Sequence, residues 1–214
     1  MLSLALVLAT IFGSPKAPAP SPLHVACPAN PAAFTTAPAA RTCPAIELSG
    51  RVDANGVALD PAFDVDVAPA ELARPGHGDA VVAGYAADGR ALFAQSFSAA
   101  GSFHLYVPLS PALAQSVQRL ELVSGDAKTD VVASSHREPE VESLSLDSGR
   151  YLIAWNAHEF PSVRVDPPQG APILLSGGTS TYEERTVEDA SRRIVVEFSD
   201  GVRSITRAIR IFGR

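Results

Sequence analysis

Residues 192–212, RRIVVEFSDGVRSITRAIRIF, constrain the fold of this chain more tightly than any other stretch. Side chains two apart on an extended strand share a face. Ile194, Val196 and Phe198 therefore fall on one face, and Arg193, Val195 and Glu197 on the other. Asp200-Gly201 follows, a dipeptide suited to the positive φ of a tight hairpin turn. The return strand alternates as well, with Ile205, Ile209 and Ile211 at even offsets and Thr206 and Arg210 between them. A two-residue period on both sides of a turn specifies an antiparallel hairpin with one buried face.

The same grammar recurs upstream. IELSGRV over residues 46–52 reads as a strand, and Asp53-Ala54-Asn55-Gly56 as a turn. FDVDV alternates, so Phe63, Val65 and Val67 are expected to face inward and Asp64 and Asp66 outward. AVVAGYA, Asp88-Gly89 and ALFAQSF make a further hairpin, and SFHLYVPL puts Phe103, Leu105 and Val107 on one face. Ser110-Pro111 has the N-cap and N1 residues of a short helical turn reaching about Ser116. LELV and DVVAS supply two more strands. The polar, proline-containing HREPE, starting at His136, marks a module boundary. Beyond it, ESLSLDSGRYLIAW is a hairpin about residues 147–149, and its second strand carries the single tryptophan, Trp155, in a position to plug a core. SVRVD and PILLSGG are further strands. Short strands at roughly ten-residue spacing predict an all-β chain of two consecutive antiparallel β-sandwich, immunoglobulin-like or fibronectin-like, modules, residues 45–136 and 137–214.

The N-terminal part is different. Residues 2–12 form an apolar run of signal-peptide length, too short to span a bilayer, although no Lys or Arg precedes it. Small residues suited to signal peptidase occur at Ser14, Ala17 and Ala19, so residues 1–19 are read as a signal peptide. Residues 20–44 are rich in Pro and Ala, which favours an extended, semi-rigid linker. The expected location is secreted, periplasmic or at the cell surface, with no membrane span in the mature chain. In such a compartment Cys27 and Cys43, the only cysteines, suggest a disulfide, worth roughly 3 kcal/mol for a loop of about 15 residues. Two unpaired thiols in a tail are the alternative. A lipobox ending at Cys27 is opposed by His24, where an aliphatic residue is expected. The formal charge of −6 comes with no basic stripe, which argues against a nucleic-acid partner.

Sequence patterns for chemistry are sparse. His158-Glu159 begins like a zinc-protease HExxH motif, but the second histidine position is Ser162, and Pro161 would break the helix. No GxSxG nucleophile elbow occurs, and His24, His77, His104, His136 and His158 are scattered. His77 stands in a Gly-His-Gly-Asp loop read as solvated, and His104 opposes Phe103 and Leu105 and so points to solvent. Asp53, Asn55, Asp60, Asp64 and Asp66 could offer oxygens to calcium, but lack the EF-hand spacing, and solvated turns are the simpler reading. No catalytic, metal or cofactor residue is therefore assigned. The mixed charges of residues 182–193 suit a protected edge strand, with Tyr182 the residue of a candidate partner surface.

Four phrases, LSGRVDANGVALDPAFDVDVAPAE, GYAADGRALFAQSFSAAGSFHLYVPL, LIAWNAHEFPSVRVDPPQGAPILLSGG and VVEFSDGVRS, resemble the C-terminal β-sandwich region of certain secreted bacterial zinc metalloproteases. The resemblance covers residues 46–212. It rests on turns and core positions, and the catalytic domain with HExxH lies upstream in that group. It implies an accessory module with no catalytic residue to carry over. The expected role is a non-catalytic binding or spacer module for a protein or polysaccharide. The alternative is a small secreted hydrolase assembled from the loops around His77, His158 and residues 53–66.

Overall fold

The computed structural model describes residues 42–74, 76–99, 101–134, 138–147, 150–166, 172–183 and 193–210. They are almost entirely β-structure in several antiparallel sheets, none closed into a barrel. The proposed signal segment, most of the Pro/Ala-rich linker, Cys27, His24 and His136 lie outside the described residues.

Strand β1 (Cys43–Asp53) organises the first sheet. Its first half pairs with β3 (Phe63–Val67) and its second half with β2 (Gly56–Leu59). Strand β6 (Gly101–Pro108) pairs with β1 from Ala45 to Val52, overlapping both registers. A strand has two edges, so β2 and β3 lie end to end along one and β6 along the other. The opposing sheet runs β5 (Ala91–Phe97), β4 (Ala80–Tyr85), β7 (Arg119–Ser124) and β8 (Ala127–Val132). Between the two sheets sit Ile46 and Leu48 of β1, Val107 of β6, Val82 of β4, Leu92 and Phe97 of β5, and Leu120 and Leu122 of β7. Within this second sheet the Phe93 ring lies over its cross-strand partner Gly84, where an added Cβ would stand 2.2 Å from the ring. Helix α1 (Pro111–Ala114) links β6 to β7, and the Ser110 hydroxyl caps it by accepting from the Leu113 amide.

The second module opposes a sheet of β13 (Thr179–Glu183), β10 (Arg150–Trp155) and β9 (Val141–Asp147) to one of β12 (Ile173–Ser176), β11 (Ser162–Asp166), β14 (Arg193–Ser199) and β15 (Ser204–Arg210). Ile153, Trp155, Val163, Val165, Leu175, Ile194, Val196 and Phe198 fill the space between them, with Phe160 packed edge-on against Phe198. Trp155 is 8% exposed, and its indole N–H donates to the Phe160 carbonyl at 2.8 Å. The buried indole has its polar atom paired, as a core plug requires. Ile205 and Ile209 pack on this core from β15, and Ile211 lies outside the described residues.

Two sequence expectations need correction. The turn after Ser199 is a four-residue loop, Asp200–Arg203, between the paired Ser199 and Ser204. Gly201 has φ +98° as a turn glycine should, but the Asp200 carboxylate organises the loop by accepting from the Val202 and Arg203 amides at 2.9 and 2.8 Å. The second correction concerns β3. Phe63 pairs with Glu47, and Asp64 pairs with Ile46. Paired residues point to the same face. Phe63, Val65 and Val67 thus share a face, as alternation predicts, and Phe63 and Val67 are buried, but that face is opposite to the one bearing Ile46 and Leu48. The period was correct; what covers each face could not be read from one strand.

Trp155→Ala should cost about 3–5 kcal/mol in urea melts, the range for a large buried aromatic; a loss below about 1 kcal/mol would contradict the plug. Gly201→Val should cost about 1–3 kcal/mol from the positive φ, aggravated by a Cβ 3.0 Å from Val131 Cγ1. An unchanged melting temperature would contradict that.

Candidate functional site

The densest constellation of polar side chains lies where the two modules meet. It begins with an apolar insertion. Val202, at the tip of the β14–β15 hairpin, is fully buried and belongs to the core of the first module, although its own strands belong to the second. Burying a valine side chain contributes about 1.5–3 kcal/mol. The backbone of the inserted turn is paired rather than merely covered. The Ala62 amide donates to the Gly201 carbonyl at 3.2 Å, and the Ser199 hydroxyl donates to the Ala62 carbonyl at 2.6 Å. The Asp64 amide donates to the Ser204 hydroxyl at 2.8 Å. An edge strand of one module is thus hydrogen-bonded to the turn of the other.

Charge reinforces the contact. Arg164 projects from β11 toward β1 and lies 13% exposed. One guanidinium nitrogen donates to Glu47 at 2.6 Å and another to Glu197 at 2.5 Å, so a single cation joins carboxylates of both modules. Its plane stacks on the Phe63 ring at 4.7 Å from the centroid, which explains why the outward face of β3 is apolar. Nε of Arg164 has no acceptor within hydrogen-bond reach among the described residues; Asp166 Oδ1 lies at 3.6 Å. Arg203 binds Asp200 within the turn at 2.8 Å and reaches the Gln115 carbonyl behind α1 at 3.5 Å.

Burial sets the protonation of the acids here. Desolvation, and then the neighbouring Glu197, push Asp64 from 3.8 up to about 6, against the opposing pull of Gln115 and Arg203. Burial raises Glu197 also, partly countered by the Ser204 hydroxyl that donates to it and by Arg164. An acid with a raised folded pKa binds more protons folded than unfolded between its two pKa values. For Asp64, stability therefore falls as pH rises from about 3.8 through about 6, and is flat beyond. Oδ2 of Asp64 accepts from Gln115 at 3.1 Å, whereas Oδ1 is buried with no partner among the described residues.

The residues singled out by sequence are dispersed. His77 is exposed in its loop. His104 is about half exposed and meets Glu47 at 2.9 Å across β1 and β6. His158 follows β10 in a turn whose Asn156 side chain accepts from the His158 amide. Asp53 is engaged by Arg51 and by the Asn55 amide, and Asp60 accepts from Ser49. Asp66 is exposed, so of the acidic group only Asp64 enters the junction. Among the described residues no group of three or more His, Cys, Asp and Glu could hold a metal ion. Cys43 is disulfide-bonded, and Cys27 lies outside the described residues. Tyr182 lies on β13, in register with Tyr151 of β10; most of the charged segment after it is outside the described residues. A shallow cavity of about 170 Å³ borders the junction, lined by Pro44, Ala45, Asp64, Val65, Leu109 and Pro111 among others.

Sequence reading missed Glu47, Gln115, Arg164, Arg203 and Ser204. One signal was available: Val202 is an apolar residue at the tip of a tight, otherwise polar turn, where solvent exposure would be the norm. Comparison with protein-family models, with curated proteins and with solved structures finds no match for this chain.

Removing one partner from a buried ion pair strands the other. Arg164→Met should therefore cost about 3–5 kcal/mol in urea melts, and adding Glu197→Gln should restore part of the loss. A loss below about 1 kcal/mol would place the guanidinium in solvent.

Proposed function

We propose that this chain is a secreted, non-catalytic pair of β-sandwich modules that binds or spaces a protein or polysaccharide at the cell surface. The observation that carries the reading is the junction itself. Arg164 with Glu47 and Glu197, Arg203 with the Gln115 carbonyl, and Ser204 with the Asp64 amide hold one module against the other, in an interlocked arrangement suited to a spacer of fixed geometry. A disulfide at Cys43, the first residue of β1, fits an oxidising compartment. No helix among the described residues is long and apolar enough to cross a membrane.

A binding edge is also on view. Strands β12 and β13 are edge strands of the two opposed sheets of the second module and are joined through Gly177-Gly178. Leu174 on β12 is 59% exposed, and Ile173 beside it is also exposed. An exposed apolar edge strand offers unpaired backbone groups to a partner strand. This favours a protein ligand, with Tyr182 on the adjoining edge.

The test is a pull-down from envelope and medium fractions of a bacterial host with the full chain and with Leu174→Lys. The expected result is a specific protein captured by the wild type and lost with the variant. Equal capture by both would remove the edge from the binding surface. Turnover of peptide or ester substrates by the purified chain would overturn the non-catalytic reading.

A further inference from the structure

We propose that the module junction is a proton-operated latch, locked by a proton held on Asp64 and loosened when that carboxyl ionises. Its geometry differs from that of an ordinary buried ion pair. Asp64 shares the inward face with Ile46, at the end of the first sandwich where the Ser199–Ser204 turn enters. Its own amide grips Ser204, whose hydroxyl passes a hydrogen bond on to Glu197. The Asp64 amide of one module and the Glu197 carboxyl of the other therefore meet at one hydroxyl.

The groups facing Asp64 can be named element by element. From β14 comes Glu197, from the inserted turn Asp200 and Arg203, from the end of α1 the neutral Gln115, and from β1 the apolar Ile46. Asp66 on its own strand is exposed, and Glu47 points to the opposite face. Both cations nearby are engaged: Arg203 by Asp200, and Arg164 by Glu47 and Glu197. A negative charge on Asp64 would thus add to a site whose positive charge is already matched. It would also leave Oδ1 buried and charged with no donor among the described residues. Ionisation sets the Asp64 carboxylate against Glu197 and so works against the bond from the Asp64 amide to Ser204, which ties β3 to β15. Mild acid removes the repulsion and leaves Val202 seated.

Hydrogen exchange on the full chain tests this, with each rate corrected for its intrinsic pH dependence. Protection of the Ala62 and Asp64 amides, which donate across the junction, should fall about tenfold or more between pH 5 and pH 8, while amides of β4 change less. Asp64→Asn keeps an acceptor for Gln115 and cannot ionise, so it should lose most of that change. Equal protection of the wild type at both pH values, or an undiminished change in the variant, would overturn the latch. Should the variant not fold, carboxyl NMR of the wild-type chain decides: titration of Asp64 near 6 supports the proposal, and titration in the ordinary aspartate range near 4 overturns it.

Discussion

The structure depends on the insertion of one turn into a neighbouring core. Without Val202 and the backbone bonds from Ala62, the end of the first sandwich would open to water between β3 and β8. The second module would lose little of its own core, since Ile194, Val196 and Phe198 are buried by strands of that module. The apolar part of the contact is therefore one-sided, and Arg164, bound to both Glu47 and Glu197, ties the second module to the first in return. The C-terminal hairpin completes a fold begun some 140 residues earlier, and the Asp64–Ser204 bond records that separation.

Three kinds of interaction meet at this place, and their magnitudes rank them. Apolar burial of the turn favours docking without directional demands. Backbone and hydroxyl bonds fix its depth, each contributing about 0.5–1.5 kcal/mol net. The ionic part contributes less than its Coulomb energy suggests, because Arg164, Glu47 and Glu197 surrender hydration to come together. It specifies the arrangement more than it stabilises it. A slipped hairpin would strand Glu197, which is 4% exposed, without its cation.

The strands and turns were legible because a two-residue period is a property of the local chain. Ile194, Val196, Phe198 and Trp155 could be assigned to a core from their own neighbours, and Ser110-Pro111 to a cap. The junction was not legible, for a physical reason. Glu47, Arg164 and Glu197 each occupy the polar side of an alternating strand, where solvent is the default neighbour. Only their pairing across 117 and 33 residues shows that they are buried together. Asp64 looked like one member of an acidic cluster, and the register of β3 against β1 separated it from Asp53, Asp60 and Asp66. Val202 of the later hairpin packs in the first core, so order along the chain does not by itself separate the two cores.

The central claim is that the two modules stand or fall together. Urea unfolding of the intact chain, followed at once by the fluorescence of Trp155 and by far-ultraviolet circular dichroism, tests it directly. Trp155 reports on the second core alone, and circular dichroism on the strands of both. Interlocked modules predict a single transition with coincident midpoints from the two probes. Two separated transitions, with half of the dichroism lost while the tryptophan signal is unchanged, would contradict the account.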